Sequence, residues 1–421
     1  MKAQKDVYRS SRVLYIASAT IEYFISILTG TAYLAKVASS IGISDGAIGV
    51  LSSFTALGCA FQILSLGMRA DRAVKPMAFT VNILNQLCFT LLYVIPVVDL
   101  PKDHKTILFT SLLLVGNVLL NIPFSPKATW SKSLVDENRR GIFAASCEIT
   151  SLVGGMIFTL LSGRLIDTFE ENGNQTGAFT VCAVVLFVLT VSHALCILFI
   201  REDKRSDKSN KPLVARLKGA ITERSTLLLL PLFILWNAAQ YLTIPFFGTY
   251  QINDLGFTMT AVSLISVGYA LIRCLVSAPL GMLGDRRSFV NSMSVSLIAM
   301  TAGLLINSLG GKVCHIIFYV LYAVTLAGMN SGIMNIIFDY VPRDNRNGAV
   351  SILYTVGGLV GFISTLIAKP LVDYVQRSGN SFLFINRVYA QQILSVAGAI
   401  LTLAALVYLN TVIKRMKKVE Y

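Results

Sequence analysis

Charge is scarce in this chain: Asp, Glu, Lys and Arg make up 14% of its 421 residues, against roughly 25% in soluble domains. That shortage excludes an ordinary cytosolic enzyme. Paired cysteines are absent too. The seven cysteines (Cys59, Cys88, Cys147, Cys182, Cys196, Cys274 and Cys314) are scattered within or at the ends of apolar runs, odd in number and with no CxxC pair. They read as packing thiols and define neither a redox compartment nor a metal site. His193 and His315 have no acidic or Cys partner at ligand spacing, so no metal is expected. No GxxxxGK[ST] loop occurs, which argues against a built-in ATPase, and no Ser/His/Asp order or zinc motif argues for chemistry on a substrate. The net charge of +14 comes without a stripe of basic and aromatic residues, so nucleic acid is not the expected partner.

Long apolar runs are what the chain has instead, with 54% hydrophobic residues. A membrane-crossing helix takes about 20 such residues. Runs of that length lie near 13–37, 45–66, 77–98, 106–130, 142–168 and 177–200, and again near 226–250, 258–281, 289–309, 314–338, 348–375 and 386–412. The run from Val13 to Val37, preceded by Lys2, Lys5, Arg9 and Arg12, is too long for a signal-peptide core and is kept as span 1. The expectation is an all-α integral membrane protein: a six-helix bundle over 1–200, a cytoplasmic linker over 201–224 with a short surface helix after Pro212, and a second six-helix bundle over 225–421. Lys and Arg gather on the tails and alternate loops, leaving only Lys102, Lys105, Lys312 and Arg377 on the others. The bias places both termini in the cytoplasm. Short loops without outer cysteines suit a bacterial inner membrane, and a monomer is expected.

The two halves repeat. Gly67-Met68-Arg69-Ala70-Asp71-Arg72 after span 2 returns as Gly281-Met282-Leu283-Gly284-Asp285-Arg286 after span 8, 214 residues on. Glu137-Asn138-Arg139-Arg140-Gly141 before span 5 returns as Asp344-Asn345-Arg346-Asn347-Gly348 before span 11, 207 residues on. Arg164-Leu165-Ile166-Asp167 matches Pro370-Leu371-Val372-Asp373 at an offset of 206. Three landmarks in one order indicate a duplicated six-span unit.

With Gly67, Asp71, Arg72 and Lys75 in the span 2–3 loop, and Gly281, Asp285, Arg286 and Arg287 in the second copy, the sequence resembles the major facilitator superfamily over its whole length. The resemblance implies twelve spans in two pseudo-symmetric bundles, with a central site reached alternately from each side. It also implies that Asp71 docks on the start of span 11 and latches the cytoplasmic side, with Asp285 as its mirror at span 5. Physically, glycine lets a span end tightly and an acid faces a helix N-terminus favourably. Two features differ from the superfamily's drug exporters. Leu112 to Asn121 in span 4 contains no arginine, and Glu148 to Gly163 in span 5 holds Gly154-Gly155 but no Gly-Pro pair.

Ionisable groups within spans are costly and face a bundle interior or a water-filled cavity. Glu22 stands in a polar row with Ser18, Ser26, Thr29 and Tyr33, and Arg273 in a row with Ser266, Tyr269 and Ser277. At 1.5 Å per residue the two charges lie about 3 and 4.5 Å from their span centres, and Glu148 about 8 Å from its own. Two readings stand open. In one, Glu22 takes a proton or cationic group and Arg273 an anionic or hydroxylated group in a central cavity. In the other, Arg273 pairs with Glu148 or Glu22 as a bridge or gate.

Neutral polar residues add Asn117 and Asn121 on span 4, Trp236, Asn237, Gln240 and Tyr241 on span 7, and Asn330, Ser331 and Asn335 on span 10. Amides beside aromatics suit a polyhydroxylated or mixed polar and aromatic ligand. Gly154-Gly155, Gly357-Gly358 and Gly361 suit close helix approach. The chain thus reads as a secondary transporter without cofactor, coupled to protons, with a polar nutrient such as a sugar slightly ahead of an exported amphipathic drug. A non-transporting receptor or scaffold is the outside alternative.

Overall fold

In the computed structural model, the described residues are 8–66, 74–123, 127, 130–131, 133–135, 140–202, 219, 221–342, 345–382, 385–386 and 388–418. Gly67, Asp71 and Arg72, and the expected surface helix after Pro212, lie outside them. Eleven of the described helices are long and apolar enough to cross a membrane. They are Arg9–Leu28, Val74–Val94, Lys102–Asn121, Arg140–Glu171, Gln175–Phe199, Arg224–Thr243, Met259–Arg286, Phe289–Ser308, Lys312–Tyr340, Arg346–Arg377 and Ala390–Thr411. They are spans 1 and 3 to 12 of the sequence reading. A two-residue antiparallel ladder, Ser381–Phe382 against Ile385–Asn386, interrupts the helical pattern.

Span 1 is not one rod. Its first helix stops at Leu28 and a second, Thr31–Ser40, begins after Gly30, whose ψ of 166° is extended. The Ser26 and Thr29 hydroxyls donate back to the carbonyls of Tyr23 and Ile25 at 2.7 and 3.2 Å, a habit that bends helices. Tyr93 donates to the freed carbonyl of Leu28 at 2.6 Å. Tyr33, expected on the Glu22 face, therefore belongs to the second helix, where it donates to Thr159 O at 2.9 Å. Span 2 is broken further, into Asp45–Ser52, Phe54–Ala60 and Ile63–Leu66.

The chain forms two compact units, Met1–Gly42 with Leu64–Asn210, and Ile43–Ile63 with Lys211–Tyr421. This differs from the division at 200 and 225 because span 2 packs with the second half of the sequence. Its glycines explain the choice. A Cβ at Gly49 would overlap the Phe246 ring, one at Gly46 the Asp373 carboxylate, and one at Gly358 of span 11 the carbonyl oxygen of Ala56.

In the first unit, span 1 packs on spans 5 and 6, and span 3 on spans 4 and 6. Gly154 and Gly155 bring span 5 against the rings of Phe24 and Tyr23, as expected of small residues at helix seams. In the second unit, span 11 packs on spans 2 and 7, while span 9 is held between spans 10 and 12. Its core runs through Leu232, Phe233, Met293, Leu297, Phe318 and Leu353.

Asp45, at the head of span 2 and 9% exposed, is clamped by two amides. Asn253 Nδ2 donates to Oδ1 at 2.8 Å and Gln376 Nε2 to Oδ2 at 2.6 Å. Hydrogen bonds to a charged group contribute about 1.5–3 kcal/mol each and orphaning their donors adds to the loss. Asp45→Ala is expected to cost about 3 kcal/mol in thermal unfolding of the detergent-solubilised protein. Asp45→Asn, which keeps one acceptor, should cost clearly less; equal losses would show that the clamp is not the cause.

Candidate functional site

Span 7 ends its regular helix at Thr243 and continues through a 3-10 turn at Ile244–Phe246 and a π turn at Tyr250–Asp254. Pro245 carries no N–H, which suits the irregular stretch. Ahead of this break, Trp236, Asn237, Gln240 and Tyr241 fall within two helical turns and line a cavity of about 260 Å³ in the second unit. Asn330 of span 10 and Tyr354 and Gly358 of span 11 line it too, with Ala56 and Cys59 of span 2. Five of the residues expected at a binding site are thereby brought to one wall.

The amides are held in place from behind. Asn237 Nδ2 donates to Phe233 O at 2.9 Å, and Gln240 Nε2 donates to the Tyr322 hydroxyl at 3.1 Å. Tyr322 stacks on Tyr269, with ring centroids 5.8 Å apart and 26° between planes. Tyr269 therefore supports the wall without lining it. Among the described residues, the amide oxygens of Asn237 and Gln240 and the whole Asn330 amide have no protein partner. The glycines of span 11 let it approach span 7 closely, since Gly357 lies against the Asn237 amide and Gly361 against the Tyr241 ring.

The remaining expected residues lie elsewhere. Asn117 and Asn121 are buried in the first unit, where their Nδ2 groups donate one turn back to Leu113 O and Asn117 O at 2.8 and 2.9 Å. Glu22 is also in the first unit, and Lys127 Nζ is its ion-pair partner. Glu148 is exposed on span 5. Arg273 is half-buried on span 8, outside the cavity lining, and no acid among the described residues of its own unit pairs with it. Span 8 stays helical to Arg286, so Gly281, Asp285 and Arg286, read as a loop after the span, form its last turns instead, with both charged side chains exposed.

Lys127 and Tyr354 were not singled out from sequence, and Cys59 was read there as a packing thiol. Lys127 carried a usable signal, a cation at the end of an apolar run. Cys59 and Tyr354 carried none, because only the packing of spans 2 and 11 on span 7 turns them toward a shared space. Around the Glu22–Lys127 pair, Tyr15 hydrogen-bonds Ser131, and the buried His193 ring lies 2.7 Å from Gln86 Nε2 through Nδ1.

The sequence matches the family model described as Major Facilitator Superfamily over residues 14–365 and again over 229–417. Among solved structures, a mutant of the nucleoside transporter NupG superposes with a TM-score of 0.74 at 12% identity, covering 95% of this chain and 99% of that one. A bacterial homologue of the human lysosomal transporter Spinster, inward-facing and occupied, gives 0.66 at 12%, covering 97% and 96%. A D-xylose–proton symporter gives 0.64 at 10%, covering 94% and 96%. At such identities the likeness is one of fold. No curated protein matches the chain.

Proposed function

Since this chain belongs to the major facilitator superfamily, we propose that it carries a small, uncharged polar solute across the membrane by alternating access, in symport with protons. The observation that carries this reading is the cavity: three amides and several aromatic rings around about 260 Å³, with no charged side chain among the described residues of the lining. That volume lies below the roughly 300–1,000 Å³ of drug-sized sites. A cationic amphipath would find no carboxylate there, which disfavours the exporter reading.

Coupling falls to Glu22. Protonating it removes the negative half of its pair with Lys127, so the bundle holds a different charge arrangement in the two protonation states. Among superfamily folds, the likeness to a D-xylose–proton symporter is consistent with such a role. The distribution of Lys and Arg supports termini on the cytoplasmic side, and short loops without outer cysteines support a bacterial inner membrane. Asp71 and Asp285, with Gly67, Arg72, Gly281, Arg286 and Glu148, are proposed to govern closure of the cytoplasmic side, and Arg273 to serve ligand or gate.

The test is uptake into proteoliposomes. A one-unit inward pH gradient drives up to about tenfold accumulation through a proton symporter, since each tenfold ratio is 1.4 kcal/mol. Glu22→Gln should flatten that to about onefold while solute exchange at equal pH persists. Undiminished gradient-driven accumulation in the variant would remove Glu22 from coupling.

A further inference from the structure

The cavity's chemistry selects more narrowly than "small and polar". We infer that its occupant is an uncharged planar heterocycle with an amide-like edge, a nucleobase, rather than a polyol. This rests on the cavity being the transport site.

Three observations lead there. No described residue of the lining carries a formal charge, so a carboxylate, phosphate or ammonium group would be desolvated without a partner. Second, the lining is rich in rings: Trp236, Tyr241 and Tyr354 border the space, and Phe233 braces Tyr354 edge-on at 5.9 Å and 70°. Flat π-faces stack well on such rings. Third, Asn237 and Gln240 stand three residues apart on one face of span 7. Each is anchored through one N–H, at 2.9 and 3.1 Å, which fixes the amide and leaves an oxygen and a second N–H. A primary amide with both functions to spare matches a donor–acceptor edge, as Asn and Gln do on adenine.

A polyol fits less well. It carries a hydroxyl on nearly every carbon, each both donor and acceptor, and the three amides cannot satisfy them all. Hydroxyls left against Ala56, Ile333 and the ring faces would lose water without replacement.

Cys59, half-buried in the lining, gives a readout independent of transport. The purified full-length protein is treated with N-ethylmaleimide and alkylation at Cys59 is followed by mass spectrometry. The exposed Cys274 serves as internal control. Uracil and hypoxanthine are each expected to slow Cys59 alkylation roughly tenfold, an occupancy near nine-tenths at about nine times Kd. Doubly N-methylated uracil, which stacks but has lost its N–H donors, should not, and neither should glucose. Gln240→Ala should abolish protection by uracil with the melting temperature kept, and Asn237→Ala provides a second variant if that one fails to fold.

The outcomes separate. Protection by glucose and not by the bases would overturn the heterocycle while leaving the neutral-solute transporter standing. Equal protection by uracil and its methylated form would overturn the edge recognition. Protection by none of them, in protein that still accumulates solute, would remove both this inference and the cavity's assignment as the transport site.

Discussion

Lys127→Met is expected to destabilise the first unit and to uncouple transport, and Glu22→Gln combined with it should undo most of the damage to stability. Lys127 and Glu22 form an ion pair inside the first unit, with side chains 12% and 31% exposed. Breaking a fully buried pair from one side costs about 3–5 kcal/mol, because the other charge is left in an apolar setting. Partial exposure of Glu22 lowers this to about 2 kcal/mol. Removing both charges leaves no orphan, and a neutral pair of similar volume is often no less stable than the ionic one. Thermal unfolding of wild type, both singles and the double mutant measures the coupling directly. A double mutant as unstable as Lys127→Met would mean that lost packing of the lysine stem, not a stranded carboxylate, sets the cost. Function should not follow stability back: the double mutant has no titratable carboxyl at position 22 and should stay uncoupled from the pH gradient.

That pair marks the limit of what the sequence discloses. Hydropathy locates spans well, as at 289–309, observed as Phe289–Ser308, because crossing a bilayer constrains length and composition directly. It does not report breaks inside a span, so the stop at Leu28 and the three pieces of span 2 were not visible. Both depend on local bonding and on what the helix meets. Nor does it report partners. The amides of spans 4 and 7 look alike in sequence, yet Asn117 and Asn121 are buried and Asn237 and Gln240 line a cavity. The difference comes from neighbouring helices, since Asn117 and Asn237 both donate one turn back along their own helix. The same holds for span 2, whose place in the second unit follows from interdigitated glycines rather than from its position in the chain.

Those glycines support the second large effect. Gly358→Ala places a methyl group on the carbonyl oxygen of Ala56 and within 3.2 Å of Cys59 Cβ. A backbone oxygen cannot rotate away as a side chain would, so the piece of span 2 at Phe54–Ala60 must retreat from span 11. Overpacking of this kind costs about 1–3 kcal/mol. Here it also reshapes the cavity, because Ala56, Cys59 and Gly358 all line it, and solute binding should be lost along with stability. Gly281→Ala provides the contrast. Among the described residues nothing lies within 4 Å of a Cβ built at Gly281, and the residue is inside the helix Met259–Arg286. Alanine there should be neutral or up to about 1 kcal/mol stabilising through helix propensity. Melting temperature and Cys59 protection by uracil, measured on both variants, decide between two roles for span glycines. If Gly281→Ala melts normally but abolishes transport, that glycine serves a closed state in which another element approaches it. If Gly358→Ala melts and binds as wild type does, the seam between spans 2 and 11 is looser than its backbone contact implies, and the cavity wall it forms is adjustable.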